Sequence, residues 1–329
     1  MLSAKHQVII NQIDYVSIGE CIIEFCGVDP CIGILRGHTR QVFCCCMSKD
    51  DRFIVSASWD ETLKIWDVES GSVLRTLEGH NSVVNCCEIS SDNRFIVSGS
   101  YDGVLKIWDV QSGVVQKTLA SDSNAAIYSV CISSENVFIV SGSADYTLKI
   151  WDVDSGTILE TLEGHEDEVN CCCISSEDRF IVSASDDYTL KIWDVDSSCL
   201  LQTLEAHERG VKWCCISSDD RLIVSGAADD TLKIWDIESG CVLKTLIGHE
   251  ESVMSCCISS DNRLIVSASS DYTLKIWDMK SGSVLETLSG HAFYVVSCCI
   301  SSNDRFIVSA SFDSTLEIWD ISEKCEMIL

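Results

Sequence analysis

Apolar residues in this chain come in short runs of four to seven, each closed by a polar cluster, and the same succession of runs keeps returning. Gly164 to Glu205 shows one cycle. "VNCCCIS" leads into the polar "SEDR", "FIVSAS" ends at "DD", "TLKIWD" ends at "VDSS", and "CLLQTL" completes it. Runs this short and rich in β-branched residues read as strands, not helices. The chain has one proline, Pro30, so nothing interrupts them. Several runs are apolar at consecutive positions, the pattern of strands covered on both faces.

The cycle has a fixed period. Trp-Asp pairs begin at Trp66, Trp108, Trp151, Trp193, Trp235, Trp277 and Trp319, spaced by 42 residues except for 43 between Trp108 and Trp151. Gly-His pairs end at His38, His80, His165, His249 and His291, with Ala206-His207 as a variant, leaving His6 outside the series. From Gly37 to Leu329 the chain holds seven such units. Seven four-stranded antiparallel sheets must bury their faces on one another, and closing them into a ring predicts an all-β, seven-bladed propeller.

The two dipeptides, recurring in phase, resemble the WD-repeat family of β-propellers. The resemblance covers residues 31–329 and implies an interaction platform without catalytic activity of its own. It leaves residues 1–30 as an N-terminal extension, either a cap or degenerate strands such as "QVII" and "CIIEF". It also implies that a strand from the start of the chain completes the last blade. "CIGILRGH" aligns with "VLRTLEGH" and is that strand, while the C-terminal "CEMIL" competes for the same place.

The resemblance further implies a hydrogen-bonded set of four side chains per blade. By position these are His38, Ser56, Asp60 and Trp66; His80, Ser98, Asp102 and Trp108; and His165, Ser183, Asp187 and Trp193. The series continues with His207, Ser225, Asp229 and Trp235; His249, Ser267, Asp271 and Trp277; and His291, Ser309, Asp313 and Trp319. Such a set satisfies buried polar groups, since imidazole has one donor and one acceptor, serine relays and indole only donates. Ser-His-Asp is also a hydrolase constellation, but six copies argue for architecture, and no nucleophile elbow, phosphate loop or His-Glu-x-x-His accompanies them. No enzyme is expected. Blade 3 lacks its histidine. There Asp122 or Ser123 stands nearest the vacancy, and a carboxylate beside Asp145 predicts an incomplete network.

Charge narrows the partners. Against 23 basic residues stand 51 acidic ones, a net −28, so the chain should repel nucleic acid and favour a basic protein or peptide. No signal-peptide h-region or membrane-length apolar run is present, and the 21 cysteines suit a reducing cytoplasm, with the nucleus also compatible. Fifteen of these cysteines, Cys171 to Cys173 among them, fall in the first run of each unit, the innermost strand in the family. Neighbours on a strand point to opposite faces, so adjacent thiols cannot converge on one metal. They read as small buried hydrophobes. No metal or cofactor is expected.

Among near-identical repeats the variable columns are informative. Three of them, which the family places at the top opening, collect Phe43, Trp59, Tyr101, Tyr128, Tyr294 and Phe312 from blades 7, 1, 2 and 3. Such aromatics are candidate anchors for a partner docked on a monomeric propeller. The alternative is drift after duplication. A second functional class, a dedicated subunit of a fixed assembly such as a ubiquitin-ligase substrate receptor or a signalling complex, also stays open. Its ligase-adaptor form expects arginine two residues after Trp-Asp. Here Glu69, Gln111, Asp154, Asp196, Glu238, Lys280 and Ser322 stand there, which disfavours direct adaptor docking.

Overall fold

The computed structural model describes residues 16–18, 21–23, 30–205 and 207–322. Seven four-stranded antiparallel sheets form the blades of a propeller. In blade 1, strands a to d run Val42–Met47, Phe53–Ser58, Thr62–Asp67 and Val73–Glu78, with a at the axis and d at the rim. Blades 2 to 6 repeat this order from Val84, Ile127, Val169, Val211 and Val253. Each strand a lies against strand a of the blades on either side, the seventh against the first, which closes the ring.

Blade 7 takes strands a to c from Val295–Ile300, Phe306–Ser311 and Thr315–Asp320. Its strand d is Cys31–Arg36, antiparallel to Thr315–Asp320 with Leu35 opposite Leu316. The N-terminal strand therefore holds the place for which two segments compete in sequence. "CEMIL" and "QVII" lie outside the described residues. Of "CIIEF", Cys21–Ile23 pairs antiparallel with Val16–Ile18.

Burial explains the composition of each strand. Strand b, "FIVSAS", sits between two blades and is buried at almost every position, so it alternates nothing. Strand d has its outer edge in solvent and exposes Leu74, Leu159, Leu201, Leu243 and Leu285. The apolar clusters span neighbouring blades: Val55, Leu63 and Leu77 of blade 1 pack with Val84, Ile96 and Trp108 of blade 2. A blade is thus stabilised by its neighbours and not alone.

A second ring of contacts lies at the end opposite the Gly-His loops. In every a–b turn one residue adopts a left-handed backbone, with φ between 55° and 60°: Asp51, Asn93, Asn136, Asp178, Asp220, Asn262 and Asp304. Aspartate and asparagine tolerate that region better than other side-chain-bearing residues. Each accepts a backbone N–H from the preceding blade, as in Ser260 to Asp304 at 2.8 Å and Ser302 to Asp51 at 2.7 Å across the closure. This belt passes through all seven blades. Among the described residues, no helix is long and apolar enough to cross a membrane.

Candidate functional site

At the other end, the loop between strand d and the next strand a brings in the histidine, and the b–c turn brings in the aspartate. In blade 4, His165 Nδ1 lies 2.6 Å from Asp187, His165 Nε2 lies 2.7 Å from Ser183 Oγ, and Trp193 Nε1 donates to the same Oγ at 2.9 Å. One proton arrangement satisfies every group: indole donates to serine, serine to Nε2, and Nδ1–H to the carboxylate. Blades 1, 5, 6 and 7 repeat it, with histidine–aspartate distances of 2.8, 2.9, 2.7 and 2.9 Å. The glycine before the histidine follows from the same packing. A Cβ on Gly37 would stand 3.0 Å from the Trp66 indole. Burial by itself would raise the carboxyls of Asp60, Asp187, Asp229, Asp271 and Asp313. Hydrogen bonds from histidine, threonine and backbone N–H outweigh it and hold them well below the usual carboxylate range.

Two blades depart from this arrangement, and both correct the reading from sequence. In blade 2, His80 meets Ser98 at 2.7 Å and Trp108 donates to Ser98 at 2.8 Å, but Asp102 accepts from Ser100 and not from His80. His80 Nδ1 is buried without a hydrogen-bond partner. The cause is one side chain. Elsewhere a threonine two residues after the aspartate donates to one carboxylate oxygen, as Thr189 does to Asp187 at 2.7 Å, and leaves the other oxygen facing the histidine. Blade 2 has Val104 there and no hydroxyl. Burial, with help from Lys106, lowers the His80 pKa to about 4.

In blade 3 the vacancy is filled. The Lys149 ammonium reaches Asp145 and Thr147, both at 2.6 Å, and Ser123 also donates to Asp145. Its counterparts Lys64, Lys106, Lys191, Lys233 and Lys275 reach outward to a strand d threonine instead. The expected carboxylate repulsion is replaced by an ion pair whose side chains are 10% and 19% exposed. Burial would raise the Asp145 pKa, but the bonds from Lys149, Thr147 and Ser123 bring it to about 2.

The aromatics at this end divide into two groups. Phe43 packs on Phe312 with ring centres 4.8 Å apart and on Trp59 at 5.8 Å, while Tyr294 reaches Phe312 at 6.1 Å. The chain of rings continues to Tyr272 and Phe293, which the sequence columns missed. Phe293 carried a signal, since its column elsewhere holds Arg40, Ser82, Ala125, Asp167, Arg209 and Glu251. The contiguous cluster therefore runs over blades 6, 7 and 1, where Trp59, Tyr294, Tyr272 and Phe293 are each 36–41% exposed. Tyr101 is more exposed, at 59%, and Tyr128 donates its phenol to Glu168, burial first and that carboxylate second raising its pKa. Across the opening the rim is polar and pairs with itself. Asp186 accepts from Lys212 at 2.6 Å and from Asn170 at 2.8 Å.

Along the axis the first strands enclose a cavity of 310 Å³ lined by fifteen cysteines together with Glu88, Ser129 and Trp213. Burial pushes the thiols of Cys86, Cys131, Cys214 and Cys256 well above their ordinary value. Glu88 occupies a column that is cysteine in the other blades. Desolvation raises its pKa to about 7, against Lys49 and the Ile132 N–H, which pull it down. The unfolded chain ionises this group near pH 4.3. Folding is therefore penalised as pH rises from about 4 to 7, and the penalty is full above that. Glu88→Gln should stabilise the protein by about 3 kcal/mol at pH 8 and leave it unchanged at pH 4. Urea unfolding at the two pH values checks this, and equal gains at both would refute it.

The sequence model of the family described as "WD domain, G-beta repeat" matches residues 29–67, 71–109, 113–152, 156–194, 198–236, 240–278 and 282–320. A 44-residue stretch is 48% identical to "Probable E3 ubiquitin ligase complex SCF subunit sconB" of Arthroderma benhamiae, covering 13% of this chain and 6% of that protein. Another match, 46% identical over 44 residues, is to "WD repeat-containing protein 18" of Bos taurus, covering 13% of this chain and 10% of that protein. The chain thus matches only a small fraction of these relatives' length, about one repeat.

Proposed function

The chain belongs to the WD domain, G-beta repeat family, and on that premise we propose that it is a non-catalytic scaffold that binds a protein or peptide at the histidine end of the propeller. The observation that carries this is the division of that rim. Over blades 6, 7 and 1 aromatic rings touch one another and face solvent, whereas opposite them Asp186, Lys212 and Asn170 satisfy each other. Clustered, partly exposed aromatics are the usual anchors of an interface. The net charge of −28 favours a basic partner, which would dock apolar side chains on the rings and lysine or arginine on the acidic surroundings. The Ser-His-Asp sets support no catalytic reading, because Ser183 and its counterparts are fully buried and bonded to tryptophan. The relatives' ligase name rests on about one repeat and adds no specific role here.

Cross-linking mass spectrometry in native lysate would supply the partner, and affinities of variants then test the surface. Trp59→Ala and Phe312→Ala should each weaken binding by about 2 kcal/mol, roughly thirtyfold. Neither should unfold the propeller, since both side chains lie outside the hydrogen-bonded sets. Asp186→Ala, on the opposite side, should change affinity little, and rising salt should weaken it. Wild-type affinity in both aromatic variants with a loss in Asp186→Ala would move the site to the polar rim.

A further inference from the structure

Thiols that cannot meet along one strand do meet across blades. The first and third cysteine columns of one strand a face the second column of the next. Cys46 Sγ lies 3.8 Å from Cys87 Sγ, Cys131 lies 3.6 Å from Cys172, and Cys173 lies 3.7 Å from Cys214. Cys215 lies 3.7 Å from Cys256, Cys257 lies 3.9 Å from Cys298, and the Cys299 thiol faces that of Cys45 across the closure. Six of the seven interfaces thus carry a thiol pair opening on the 310 Å³ channel. The seventh, between blades 2 and 3, has Glu88 and Val130 in the same columns.

We propose that this channel binds soft monovalent cations of the Cu(I) class, each held by two thiols from neighbouring blades. The spacing fits the chemistry. At a metal–thiolate bond of about 2.3 Å, two sulfurs subtending a tetrahedral angle stand about 3.8 Å apart. A more open angle needs only rotation of the two side chains toward the channel. Soft thiolate donors select Cu(I). Zinc in structural sites takes four ligands, and among the described residues no three His, Cys, Asp or Glu side chains are grouped to hold an ion. A d10 ion that accepts two sulfurs needs no such group. Each event forms two S–Cu bonds and breaks two S–H bonds. Cu(I) and two thiols give a bis-thiolate of net charge −1 and two protons released to buffer, with no change of oxidation state.

The test is anaerobic titration of the reduced full chain with Cu(I) against the chromophoric chelator bathocuproine disulfonate. About six Cu(I) per chain should be withdrawn from the chelator, one for each of the six pairs. The triple variant Cys131→Ser, Cys215→Ser, Cys257→Ser should lose about half of that capacity. The exposed Cys199 and Cys241 replaced together by serine should lose none. X-ray absorption at the copper edge of the wild-type protein gives a readout that does not depend on the variants folding, and it should show sulfur neighbours alone. The proposal is overturned by one Cu(I) or fewer per chain, by nitrogen or oxygen neighbours, or by full capacity in a folded triple variant. A mass two daltons lower per pair, with no copper retained, would also overturn it, since the thiols would then have been oxidised and not metallated.

Discussion

Asp145→Ala should destabilise the protein by about 2–3 kcal/mol at pH 7, the reverse of what its missing histidine suggests. The aspartate holds the Lys149 ammonium at 2.6 Å, and both side chains are largely buried. Removing one partner of a buried pair costs about 3–5 kcal/mol when the other charge is trapped. Lys149 is not fully trapped, because Thr161 lies opposite it on strand d and offers the outward position used by its counterparts. That escape sets the expected loss below the range for a trapped charge. The pH dependence has a definite sign. The Asp145 pKa is about 2 when folded and about 3.9 when unfolded, so its contribution is present above pH 4 and is lost as pH falls through about 2. Urea unfolding at pH 7 decides it, and a variant as stable as wild type would mean that the pair contributes nothing.

Asp187→Ala should cost about 2–3 kcal/mol, whereas Asp102→Ala should cost under about 1 kcal/mol, although both aspartates hold the same place in the repeat. Asp187 accepts from His165, Thr189 and the Glu166 N–H, and its loss leaves buried donors unpaired. An unpaired buried donor costs about 1–3 kcal/mol. Asp102 has no bond to His80, whose Nδ1 is already without a partner, so its removal costs only the bond from Ser100, whose hydroxyl keeps the Val104 carbonyl as an acceptor at 3.0 Å. Val104→Thr should recover the missing bond, turning Asp102 toward His80 and stabilising the protein by about 1 kcal/mol. A His80 NMR titration shows whether the bond forms, because the carboxylate would raise the imidazole pKa from about 4. Equal losses in the two alanine variants, or an unmoved His80 in Val104→Thr, would refute the account.

The repeat period, the strand runs and the paired dipeptides determined the propeller and the number of its blades, because each blade repeats one local pattern and depends only on its neighbours. The same alignment named the members of the hydrogen-bonded sets, since a fixed period copies a side chain into a fixed place. Val104 was a legible sign that blade 2 differs, but its meaning rests on which carboxylate oxygen a threonine holds, and that is a matter of geometry. Lys149 is less legible still: lysine stands in that column in six of the seven blades, and only the empty space beside Asp145 turns this one inward. The aromatic columns gave Phe43, Trp59, Tyr294 and Phe312, which touch, and also Tyr101 and Tyr128, which stand apart from that cluster. Ring contacts then drew in Tyr272 and Phe293, because adjacency across a rim is set by how blades fan out and not by column. The cysteines divide most sharply. Alternation along a strand separates neighbouring thiols, as the sequence requires, and packing one strand a against the next brings thiols 41 residues apart to within 4 Å. Local covalent geometry fixes the first result, and only the closed ring produces the second.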